Sequence, residues 1–138
     1  MGDRRQSREM ALQALFFVDM NPSADLQADL EAFCHENETL LTPAVKPFFW
    51  DLVQGVHKNL PEIDQLLTTY SRKWKISRMP GVDRNIMRIA AFELLKRLDI
   101  PPSVTINEAV DIAKKYGSRE SGPFVNGILD QIRLFLDR

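Results

Sequence analysis

Four side chains in the 138-residue sequence sit close enough together to raise metal chemistry: Cys34, His35, Glu36 and Glu38. Cys34 and Glu38 would share one face of a helix. Zinc, however, ordinarily takes four ligands, and the one other histidine, His57, is remote in sequence. No metal site is expected. Cys34 and His35 are neighbours, and adjacent helical residues point in different directions, which defeats a thiolate–imidazole pair. Glu108 and Asp111 form an i, i+3 carboxylate pair better suited to capping and solvation than to acid–base work. The chain contains no G-x-S-x-G, no phosphate-cradling P-loop and no G-x-G-x-x-G. The sequence therefore predicts neither an enzyme nor a cofactor.

The arginines at the start of the chain carry a stronger signal. Arg4, Arg5 and Arg8 open the first predicted helix, where the macrodipole disfavours each cation by roughly 0.3–1 kcal/mol. Two readings stand side by side: a terminus that tolerates any charge, or a group placed to meet a polyanion. Phe16, Phe17 and Phe124 are candidate stacking platforms for nucleobases, set against the plainer role of phenylalanine in a helical core stripe. The formal charge of −1 hides an asymmetry. Residues 1–71 hold five basic and eleven acidic side chains, giving −6; residues 72–138 hold thirteen basic and eight acidic, giving +5. A polyanion responds to such local fields rather than to the total.

The apolar spacing is helical nearly throughout and predicts seven helices. The first covers residues 4–20 and is ended by Asn21-Pro22-Ser23. The second covers 25–37. The third is expected to be capped by Thr42 with Pro43 in its first turn, and the fourth begins at Asn59-Leu60-Pro61. Met79-Pro80-Gly81 breaks the chain ahead of a fifth helix over 83–98. Thr105-Ile106-Asn107-Glu108 has the spacing of a capping box and predicts the start of the sixth, with Gly117 at its end. Ser121-Gly122-Pro123 opens the seventh. Asn107 and Asn126 fall in apolar stripes and are expected to be buried hydrogen-bonders. Gly127 is expected to mark a close helix–helix approach. The architecture implied is a single all-α domain over 1–138, two small antiparallel bundles packed together, with subdomains of about 1–72 and 73–138. No signal-like or membrane-spanning segment is evident, and the lone Cys34 fits a reducing cytoplasm.

Three stretches, taken in order, resemble the NusB family of bacterial antitermination factors from end to end. They are Arg8-Glu9-Met10-Ala11-Leu12-Gln13-Ala14-Leu15, Asp83 to Leu94 (DRNIMRIAAFEL), and Ile106-Asn107-Glu108-Ala109-Val110 with Phe124-Val125-Asn126-Gly127-Ile128-Leu129-Asp130. The resemblance implies binding of boxA single-stranded RNA of ribosomal RNA leaders together with NusE, a small-subunit ribosomal protein, and an indirect effect on the RNA polymerase elongation complex. It implies RNA contacts at Arg4, Arg5, Arg8, Gln13, Phe16, Glu120 and Phe124, and NusE contacts at Asp83 and Tyr70. The arginine cluster is interrupted by Gln6 and Ser7, and the stretch Trp74–Gly81 is longer and more basic than the family pattern. Two alternatives accompany this reading: a protein–protein adaptor with incidental RNA contact, and a stand-alone relative of the helical domain that precedes the catalytic domain in some ribosomal RNA cytosine methyltransferases.

Overall fold

A computed structural model describes residues 2–22 and 25–138, and among them there are seven α-helices and no strand. They are α1 (Asp3–Met20), α2 (Leu26–Glu36), α3 (Lys46–Lys58), α4 (Leu60–Tyr70), α5 (Gly81–Lys96), α6 (Pro102–Tyr116) and α7 (Ser121–Phe135). Ser23, expected to help stop the first helix, lies outside the described residues. Helix α5 is the axle of the fold: α1, α3 and α4 pack on it from one side of the chain order, α6 and α7 from the other. Eleven of its residues are buried, from Asp83 to Leu94. Together with Phe49, Leu52 and Val53 of α3 and Val125, Leu129 and Ile132 of α7 they form one continuous core. Each large aliphatic or aromatic side chain so buried contributes about 1.5–3 kcal/mol.

Prolines set several of the starts, and not always where expected. Pro61 lies in the first turn of α4 behind Asn59, as the spacing predicts. Thr42-Pro43 instead makes a tight turn, in which the carbonyl of Thr42 accepts from the amides of Val45 and Lys46. Helix α3 begins only at Lys46, with Pro47 in its first turn. Helix α6 begins at Pro102, three residues before the predicted capping box, because proline lacks only an amide hydrogen that the first turn does not use. Thr105 is thus inside the helix, and its hydroxyl donates to Glu93 at 2.8 Å.

Glycine and asparagine bring two further corrections. A Cβ at Gly127 would meet open space, whereas one at Gly55 would fall within the Phe92 ring, so the close approach is between α3 and α5. Asn107 and Asn126 are exposed rather than buried.

Candidate nucleic-acid interface

The first turns of α1 bring the three arginines to three different environments. Arg8 is 3% exposed and Glu93 of α5 only 1%. The Arg8 Nε and Nη2 donate to the two Glu93 carboxylate oxygens at 2.8 Å each, a forked arrangement that guanidinium geometry favours. Arg5 donates from Nε to Glu108 at 2.8 Å and from Nη2 to Asp111 at 3.1 Å. The hydrogen bond from Arg5, opposed by partial burial, holds the Glu108 carboxyl below the usual carboxylate range. Among the described residues Arg4 makes no ion pair; its guanidinium lies over the Phe48 ring, 4.2 Å from the centroid. Three positive charges therefore stand against Glu93, Glu108 and Asp111, and Arg4 is the one of the three left without a direct acidic partner. Arg5 and Arg8 are therefore not free cations in this fold.

The opposite edge of α1 is built differently. Glu9 is buried and accepts from Lys115 Nζ at 2.8 Å and from the Tyr116 hydroxyl at 2.6 Å, which ties α1 to the end of α6. Gln13 is exposed one turn further on. Phe16 is 37% exposed and Phe17 still more so. With Tyr116, Phe33 and Val82 these side chains line a groove of about 500 Å³ that is open to solvent. Most of the lining is apolar or aromatic, with Gln13, Asn21, Asn37 and the acidic Glu36 as its polar members. Exposed rings of this kind are surfaces on which unstacked bases settle, each worth about 1–3 kcal/mol.

Of the remaining predicted residues, Glu120, Phe124 and Asp83 gather at the start of α7, and Tyr70 is at its other end. Glu120 is exposed and accepts from the Ser118 hydroxyl at 3.2 Å; Phe124 is half-buried in the first turn of α7. Asp83 is buried, accepting from the Ser121 hydroxyl at 2.6 Å, and burial raises its carboxyl above the ordinary range despite that bond. Its carboxyl thus faces α7 rather than solvent. Tyr70 packs on Phe135 at 5.9 Å between centroids. Ser121 and Phe135 are the two ends of α7, which at 1.5 Å per residue puts Asp83 and Tyr70 about 20 Å apart.

Sequence reasoning missed Glu93 as the partner of Arg8 and Glu9 as the anchor of Tyr116. The signal was present for Glu93: a carboxylate in the apolar stripe of α5 requires a cation opposite it. Among the described residues no three His, Cys, Asp or Glu side chains gather into a metal-binding group, and no helix is long and apolar enough to cross a membrane.

Seven helices gathered around α5, with a ring-lined groove beside α1, define an all-helical fold. Residues 5–133 match the model of the NusB family. The chain is 53% identical over 134 residues to the transcription antitermination protein NusB of Desulforapulum autotrophicum, covering 97% of this chain and 93% of that protein. A solved structure of T. maritima NusB superposes with a TM-score of 0.83 at 42% identity, covering 95% of this chain and 90% of that one. The fold is also shared, at a TM-score of 0.86 and 24% identity, with a structure of the antitermination factors NusB and NusE in complex with dsRNA, covering 98% of each chain. The chain belongs to the NusB family.

Proposed function

We propose that this protein binds boxA single-stranded RNA of ribosomal RNA leaders together with NusE, and through that complex alters elongation by RNA polymerase. The observation that supports it most directly is the groove of Phe16, Phe17 and Tyr116, lined also by Gln13, in a chain of the NusB family. Rings receive unstacked bases, and the amide of Gln13 offers both a donor and an acceptor to a base edge. Arg4 meets a phosphate directly. Arg5 reaches one only by exchange with Glu108 and Asp111, and Arg8 fixes α1 on α5 and so sets where Arg4 and Gln13 stand. Glu120 and Phe124 border the same RNA at the start of α7. Asp83 serves NusE through the loop it braces, and Tyr70 belongs to a separate part of that surface.

Titration of labelled boxA RNA and a scrambled RNA of equal length, each with and without NusE, tests the reading. The boxA strand should bind at least tenfold more tightly in the presence of NusE, and Phe16→Ala should weaken it by roughly fivefold or more, from the value of one stacked base. Equal binding of the scrambled strand contradicts the sequence-reading role.

A further inference from the structure

The segment joining α4 to α5 is a basic stretch that the α1 groove does not include. Between Ser71 and Val82 stand Arg72, Lys73, Lys75 and Arg78, with no acidic residue among them. None of the four makes an ion pair within the described residues, and the acids of α4 lie in the first half of that helix. Glu62 is taken by Lys96 at 3.9 Å and Asp64 by Arg88 at 2.9 Å. Leaving four like charges unscreened on one short segment costs stability through mutual repulsion, unless an anion joins them.

The segment is also held in shape. Ser71 Oγ donates to the Trp74 carbonyl at 2.8 Å, fixing the bend that presents the indole. A single 3-10 turn, Ile76–Arg78, follows. The carbonyls of Ile76 and Met79 accept from Arg84 Nη1 at 3.0 and 3.1 Å, while Arg84 is itself held by Asp19 at the far end of α1. The result is a cleft of about 470 Å³ lined by Thr68, Arg72, Lys73, Trp74, Lys75 and Arg78. Trp74 is 40% exposed within it. Preorganised donors lose less freedom on binding than mobile ones.

We propose that this cleft is a second contact for single-stranded RNA, in which the four cations follow the phosphates and Trp74 stacks on one base. A basic segment alone would suit any polyanion; the indole set among the cations is what selects a strand with unstacked bases over a duplex or an acidic peptide. The proposal extends the RNA reading above but rests on different residues. Arg4 and Asp19 are fifteen residues apart on α1, about 22 Å, so the arginine end of α1 is remote from the point where Arg84 is anchored.

The test uses the whole chain and a 20-nucleotide oligouridine, a strand without boxA sequence, with affinity followed by anisotropy across salt concentrations. Replacing Arg72, Lys73, Lys75 and Arg78 together by alanine should flatten the slope of log affinity against log salt by roughly 3, at about 0.7 for each phosphate contact. Trp74→Ala should weaken the single strand about tenfold and leave a duplex of equal length unchanged. These side chains face solvent, so both variants should keep the unfolding midpoint of the parent, which is measured alongside. An unchanged slope in the fourfold variant overturns the proposal, as does tighter binding of polyglutamate than of RNA by the parent cleft. Phe16→Ala with boxA RNA is read separately, so failure of the groove and failure of the cleft are distinguishable.

Discussion

The arginine-rich start of α1 and the basic segment between α4 and α5 use the same residue types to opposite ends. At α1, Arg5 and Arg8 are neutralised by Glu93, Glu108 and Asp111, acids delivered by α5 and α6 from 85 to 106 positions away. Between α4 and α5, four cations make no ion pair among the described residues, and the two acids of α4, Glu62 and Asp64, pair instead with Lys96 and Arg88. Proximity in sequence makes the two regions look alike; the third dimension makes one of them structural. A basic cluster is a binding surface only when the fold withholds its counter-charges.

Removing Glu93 breaks this comparison most severely. Glu93→Ala leaves the Thr105 hydroxyl without its acceptor and the buried Arg8 guanidinium with only the longer bond to Glu108 at 3.3 Å. The expected loss is about 3–5 kcal/mol of unfolding free energy, measured by urea denaturation. Gly55→Ala should cost about 1–3 kcal/mol by forcing Phe92 off its seat between α3 and α5, and a shifted denaturation midpoint with an unchanged slope would show it. Acid titration sharpens the contrast at a smaller scale. Glu108 is held below the ordinary carboxylate range by Arg5, so its contribution to stability is complete above that range and is lost as pH falls through the lowered value. Glu108→Gln should therefore flatten the acid limb of the stability profile. Asp83 has the opposite sign: burial raises it, so the folded state gives up stability as pH rises through the raised value, and Asp83→Asn should be better tolerated at neutral pH than Glu108→Gln. The fourfold alanine variant of the basic segment should change stability least, within about 0.5 kcal/mol, since its side chains touch little else.

Helix number and most boundaries were legible because apolar residues recur at the helical period and proline or glycine punctuates nearly every junction. Pro101-Pro102 misled because proline both stops one helix and starts the next; only the backbone that follows shows which. Gly127 and Gly55 are indistinguishable in the sequence, since their difference lies in which helix stands opposite. In the candidate site, Gln13 and Phe16, named by the resemblance, both line the groove beside α1. The inward turn of Asp83 was not, because its partner Ser121 is supplied by another helix 38 residues on. Tyr116 was missed for the same reason, its hydroxyl being placed by Glu9 across 107 residues.

The most direct measurement compares salt dependence in two variants of the whole protein bound to one single-stranded RNA. One carries alanine at Arg4 and Arg5, the other at Arg72, Lys73, Lys75 and Arg78. Counter-charge within the fold predicts a slope reduced by roughly 0.7 in the first and roughly 3 in the second. A larger reduction at α1 than in the α4–α5 segment would show that the ion pairs of α1 open to RNA, and would contradict the account.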